Sequence, residues 1–293
     1  MTASPPSAAI DPAAHRREVE AWRQARDARL RSETGWLTLA GLYWLRPGAN
    51  RFGAASGNEL VLPASAPAHV GVLHLVGGQV TVELSPGVAA SVAGQPVTKA
   101  VLKSDAGGAE PDVLSLGPLT VQIIERQGRL GVRVKDRQSE VRRNFKGMKH
   151  YPIEPRYRFI AAYAPHPQPR SISVPNVLGA AESLPSPGTA TFELDGKTYR
   201  LDPVIEAPGD KQLFFIFRDR TAGKTTYGAG RFLYADPPAD LRQPGQIVLD
   251  FNKAYSPPCA FTPFATCPLP PAQNRLPVPI EAGEQFDPHA AHP

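Results

Sequence analysis

Short β-rich runs separated by turn formers fill most of the chain, and one segment near its start carries the 3.6-residue period of a long helix. Asp11 followed by Pro12 reads as an N-cap and first helical position, opening a helix to about Ser32 with Val19, Trp22 and Ala25 on one stripe. The next segment, GWLTLAGLYWLRPGANRFG, is dense in Leu and aromatic residues and runs into the turn formers Pro47, Gly48 and Asn50. It is expected to form a buried cap or short helix feeding a sheet. From Phe52 to Asp136 short β-rich runs follow one another: ELVLP, HVGVLHLV, QVTVELS, PVTKAVLK, LTVQIIER and RLGVRVKD. In RLGVRVKD, Val132 and Val134 share one face while Arg133 and Lys135 share the other, so the basic side is expected to meet solvent or a ligand. KGMKHYPIEPRYR and PHPQPRS read as linkers. A second β-rich set then runs through TATFELDG, KTYRLDPVIE, QLFFIFRD, TYGAGRFLYA and QIVLDFN, with a hairpin predicted at Asp195-Gly196. From Pro257 the chain is proline-rich, turning acidic at Glu281, Glu284 and Asp287; such a tail is expected to wrap the body rather than join a sheet.

These patterns predict a mainly β protein in three parts: an N-terminal arm or helix over 1–35, a β-sandwich-like domain over 36–140, and a second antiparallel β domain over 141–293, barrel or sandwich, with a Pro-rich C-terminal wrap. Composition agrees. With 25 Gly and 33 Pro in 293 residues, about a fifth of the chain against a usual ~12%, a helix bundle is excluded. The longest nearly apolar run, Trp36 to Leu45, falls well short of the roughly 20 residues of a membrane-spanning helix. The opening MTASPPSAAIDP lacks the basic start, apolar middle and small-residue cleavage site of a secretory signal, so a cytoplasmic location is expected.

The net charge of +5 is unevenly spread. Between Arg126 and Arg158 stand eleven Lys/Arg against Asp136, Glu140 and Glu154, an excess larger than that of the whole chain. A local positive field favours a small anionic ligand or partner. Nucleic acid is disfavoured, because Phe145, Tyr151 and Tyr157 are the only aromatics there and no recognition motif frames them. The two cysteines, Cys259 and Cys267, lie in one loop, PPCAFTPFATCPLPP. Packed thiols, a disulfide, thiolate ligands of a metal completed from elsewhere, and a reactive thiolate all remain open; two thiols alone complete no metal site. No cofactor is indicated.

Common enzyme signatures fail. Gly223-Lys224-Thr225 lacks the first glycine of a phosphate-binding loop, where Arg218 stands. Gly228 and Gly230 lack the third glycine of a dinucleotide loop, where Leu233 stands. What remains is the run from Thr225 to Leu276. In YGAGRFLY, Arg231 and Tyr227 are expected to share a strand face; in IVLDFN, Asp250 and Asn252 are expected opposite Ile247, Leu249 and Phe251. The stiff loop beyond adds Asn274 and Arg275. The candidate ligand-binding residues are therefore Arg133, Arg231, Tyr227, Asp250, Asn252, Asn274 and Arg275, around a small anionic or polar ligand in a β-lined pocket. Two alternatives stand beside this. One is a thiol- or metal-assisted enzyme with Cys259 as nucleophile or ligand and His150 or Asp250 as base; the other is a protein-docking module using the stiff tail.

Taken together, GWLTLAGLYWL with NRFG, YGAGRFLYADPP, LDFNKAYSPPCAF and TCPLPPAQNRL resemble a bacterial and archaeal family known as domain of unknown function 1684, over about residues 20 to 284. That resemblance implies no reaction or ligand. The strand-and-turn order GANRFG, NELVLP, APAHVGVL, VAGQPV and LSLGPLTVQI is similar to that of a forkhead-associated β-sandwich. It departs from that pattern at Ala54, where an arginine is expected, and at the spacing from Ser65 to His69, so phosphopeptide binding is not implied.

Overall fold

The computed structural model describes residues 11–286, which leaves the opening residues and Asp287 outside the described part. The chain divides into two compact units: residues 29–146 with 261–265 form one, and residues 11–28, 147–260 and 266–286 form the other.

The first unit is a β-sandwich. After a single 3₁₀ turn at Trp36–Thr38, the aromatic-rich segment becomes strand β1 (Leu39–Trp44), where a cap or short helix was expected. β2 (Gly48–Gly53), β3 (Leu60–Val61), β4 (Gly71–Val76) and β5 (Gln79–Leu84) follow, then β6 (Ser91–Val92), β7 (Gln95–Pro96), β8 (Lys99–Leu102), β9 (Val113–Leu116), β10 (Leu119–Arg126) and β11 (Arg129–Asp136). They form one sheet in the order β1-β11-β10-β9-β6-β7 and another in the order β3-β2-β4-β5-β8. The inward residues of both sheets, among them Phe52, Leu73 and Val82 from one and Leu114, Val121, Ile123, Val132 and Val134 from the other, make a single core. A short helix, Glu140–Asn144, closes this unit's main segment.

The second unit opens with helix α1 (Pro12–Arg31), whose residues up to 28 belong to it. Asp11 caps the helix as predicted, accepting from the amides of Ala13 and Ala14. The buried stripe differs from the expected one. Ala25 is exposed, and His15, Val19 and Arg26 face inward.

A four-stranded antiparallel sheet follows in the order β14-β13-β12-β17, built from β12 (Arg158–Pro175), β13 (Ala181–Leu194), β14 (Lys197–Leu201) and, later in the chain, β17 (Gly245–Asp250). The predicted hairpin joins β13 to β14, with Asp195 at φ 51° and Gly196 at φ 73°, the left-handed pair that a tight two-residue turn requires. PHPQPRS is strand rather than linker. β17 pairs with β12 only as far as Tyr163, and the β12/β13 register breaks between Pro165 and Arg170. The prolines therefore fall on an open edge and in a bulge, where a missing N–H costs nothing.

A two-stranded ribbon, β15 (Leu213–Phe217) and β16 (Arg231–Ala235), lies between. Leu213, Phe215, Phe217, Leu233 and Ala235 join the core of the larger sheet. On the ribbon's other face Phe214 meets Phe232 edge-on and Tyr234 in a stack, both at 4.8 Å. From Pro257 the chain forms 3₁₀ turns and isolated bridges, and Leu276, Ile280 and Ala282 complete the same core. The sheets are open, so the barrel alternative is excluded. No helix among the described residues is long and apolar enough to cross a membrane.

Candidate functional site

The polar residues expected to line a pocket in the second unit are mostly buried brackets. β17 ends at Asp250 and the chain enters a 3₁₀ turn at Phe251–Lys253, so the alternation that would place Asp250 and Asn252 on one strand face stops there. Asp250 caps that turn, accepting from the Asn252 backbone and side-chain nitrogens at 3.1 and 2.9 Å, and its other oxygen meets His15 Nε2 at 2.8 Å. Asn252 in turn clasps the Glu154 backbone, accepting from its amide and donating to its carbonyl. Both side chains are spent on structure.

Arg231 is likewise withdrawn. It opens β16 on the core side and is 1% exposed. Its guanidinium lies 3.4 Å from Asp219, donates to the carbonyls of Ile280 and Ala282, and covers the Phe217 ring. Burial pushes its pKa down, with Asp219 opposing. Asp219 also accepts from the Ile280 amide and the Thr221 hydroxyl. Arg231 thus anchors the tail and pairs with Asp219 rather than Asp250. Tyr227 shares no strand face with it, because the chain turns at Gly230 (φ 111°), where a Cβ would lie 2.5 Å from the Phe217 carbonyl. The Tyr227 hydroxyl donates to the Cys259 carbonyl, and burial raises its pKa.

Cys259 and Cys267 are joined in a disulfide, and no free cysteine remains. This removes Cys259 as a nucleophile and both as metal ligands, since a disulfide sulfur is not a thiolate. His150 sits beside Glu284 in an isolated bridge, its pKa pushed down to about 4 by burial and then by Arg23. Around it lies a cluster that sequence reasoning missed: Arg26 pairs with Glu284 at 2.9 Å and donates to the Ser256 carbonyl, while Glu284 accepts from the Ser256 amide. The signal was present in helix α1, where His15 and Arg26 keep helical spacing with Val19. Arg133 lies in the sandwich unit, half-buried on β11, with burial lowering its pKa and its Nε unpaired. Arg275 is exposed, and its backbone bridges Arg218.

An open cleft of about 540 Å³ lies on the outer face of the four-stranded sheet. In TATFEL, Ala190, Phe192 and Leu194 point inward, which sends Thr189 and Thr191 outward. Register places Thr189 opposite Ala164, and Thr191 between Ala162 and Arg200. These small side chains form a low floor, and the β12 bulge beside it carries His166 and leads to Arg170. Asp202 is the single carboxylate in the lining; it accepts from the Thr189 hydroxyl at 2.7 Å and stands 3.9 Å from Arg170. Asn274, from the tail, bonds both backbone groups of Asp202. Arg200 makes no ion pair among the described residues. None of Arg170, Arg200, His166 or Thr189 was singled out from sequence, because each is unremarkable until strand register brings it to the others.

Fold and site together define a β-rich protein with a basic surface cleft. Residues 143–285 match the model of a family described as protein of unknown function (DUF1684), and the chain belongs to this family. The match leaves GWLTLAGLYWL and NRFG outside it. Among solved structures, the chain is similar to an uncharacterised protein of Haloarcula marismortui, with 34% identity over 50% of this chain and 80% of that one and a TM-score of 0.44. Forkhead-associated domains are also similar, as the N-terminal strand order led one to expect. That of FhaA shows 21% identity over 32% of this chain and 86% of its own, with a TM-score of 0.22. The FHA-2 domain of a Mycobacterium tuberculosis ABC transporter shows 27% identity over 30% and 77%, with a TM-score of 0.23. No curated protein matches.

Proposed function

We propose that this protein binds a small anionic ligand in the cleft above β12, β13 and β14. The observation that carries the reading is the meeting of Arg170 and Arg200 over a floor of Ala164, Thr189 and Thr191, with Asp202 as the only lining carboxylate. Guanidinium forks match the planar geometry of carboxylates and the oxygens of phosphate or sulfate. The volume suits a ligand of metabolite size. The Asn274 clasp on Asp202 and the β12 bulge fix the walls, and a preformed wall lowers the ordering cost of binding.

The test is calorimetric titration and thermal shift with inorganic phosphate, sulfate and citrate, on the wild type and on Arg170→Ala and Arg200→Ala. At least one probe is expected to bind, and each variant to lose about tenfold in affinity, or about 1.4 kcal/mol. Binding isotherms for phosphate, sulfate and citrate that are unchanged from wild type in both variants, or no binding by any probe, overturn the reading.

A further inference from the structure

We infer that the sandwich unit carries a second anion site, for a ligand bearing several closely spaced negative charges, at the turn between β11 and the short helix Glu140–Asn144. The site rests on residues of that unit alone and is independent of the cleft described above.

A cleft of about 730 Å³ there is lined by Arg137, Arg142 and Arg143 with Glu33 and the Gly117-Pro118 turn. What distinguishes it from a solvated basic surface is how the arginines are held. Arg137 donates to the Gly117 carbonyl at 2.6 Å, and Arg142 donates to the carbonyls of Arg31 and Arg137, both at 2.7 Å. These acceptors are neutral. They fix the direction of each guanidinium without cancelling its charge, and a guanidinium has five N–H donors, so several remain for a ligand. The one carboxylate in the lining, Glu33, stands 3.9 Å from Arg137 with its side chain 63% exposed, a distance and exposure at which neutralisation is weak. Arg143 is exposed beside them.

Arg137 and Arg142 are held, and Arg143 lines the same cleft; their like charges repel one another, and a bound polyanion relieves that repulsion while gaining fork-like hydrogen bonds. A singly charged ion addresses one guanidinium and leaves the others uncompensated. The site is therefore expected to rank probes by charge number, and to weaken with salt because its rim is open. A chain of phosphates and a polycarboxylate share this chemistry, and the titration separates them.

The test titrates the full chain with tripolyphosphate, citrate, inorganic phosphate and acetate at low and at physiological ionic strength. Tripolyphosphate or citrate is expected to bind at least about tenfold more tightly than acetate; whichever of the two leads names the source. Arg142→Gln with Arg143→Gln is expected to remove that preference, and Arg143→Gln alone to reduce it several-fold. The single variant leaves the carbonyl contacts of Arg137 and Arg142 in place, so it reads the site without disturbing the turn. Arg200→Ala in the other unit is expected to leave the tripolyphosphate preference intact. Equal affinity for all four probes, or an undiminished preference in the double variant while its thermal unfolding matches the wild type, overturns the inference. Loss of the preference in Arg200→Ala with retention in the double variant assigns the polyanion to the other cleft and overturns it as well.

Discussion

Asn274 holds both backbone groups of Asp202, its side-chain oxygen accepting from the Asp202 amide and its side-chain nitrogen donating to the Asp202 carbonyl, each at 2.8 Å. The same nitrogen donates to Ile216 in β15. One tail side chain thus imitates a strand partner for the chain just beyond β14 and ties it to the ribbon. It also sets the backbone from which Asp202 enters the cleft.

Asn274→Ala is expected to destabilise the protein by about 3 kcal/mol, because it leaves buried backbone groups unpaired at roughly 1–3 kcal/mol each. In urea the unfolding midpoint should fall with an unchanged slope. A loss below about 0.5 kcal/mol, the level of an ordinary surface substitution, would show that the tail does not hold Asp202.

His150 supplies a pH dependence of known sign. Burial, then Arg23, holds its folded-state pKa at about 4, below the ordinary 6.5. Between those values the unfolded chain binds the proton and the folded chain does not, so stability is fully present above about pH 6.5 and falls as the pH drops toward about 4. His150→Gln should flatten this part of the profile. Urea unfolding from pH 7 to 4 measures it; matching slopes in wild type and variant would mean that the folded protein accepts the proton freely.

Much of the fold was legible because most strands bury one face and wet the other. Val132 and Val134 are buried as their alternation requires, Asp11 caps α1, and Asp195-Gly196 turns the hairpin. The misreadings share a physical cause: alternation carries no mark of where pairing stops. Asp250 is the last residue of its strand, so projecting the period onto Asn252 placed a turn residue on a face. Arg231 reads as a polar position, yet Asp219 and two tail carbonyls satisfy it inside the core. Those partners stand 12 to 51 positions away. The cleft is less legible still, since Ala164, Arg170, Thr189, Arg200 and Gln273 meet only through the register of three strands and the return of the tail.

Gly188 tests whether the floor of that cleft is as tightly built as its register implies. It sits on β13 opposite Pro165, where a Cβ would lie 2.4 Å from the Ala164 carbonyl oxygen and 2.6 Å from the Tyr163 ring. Neither neighbour yields easily: Ala164 is held by its strand, and Tyr163 is 1% exposed with its hydroxyl donating to the Leu241 carbonyl. Gly188→Ala is therefore expected to cost about 1–3 kcal/mol by overpacking and to weaken phosphate or citrate binding by shifting Ala164 in the floor. Gly57→Ala is the matched control, because a Cβ there meets nothing within 4 Å; it should be neutral or stabilise by up to about 1 kcal/mol through the unfolded chain. Equal stability of the two variants would show that β12 and β13 slide to admit a methyl group, and the cleft would then lack the rigid floor on which its binding role rests.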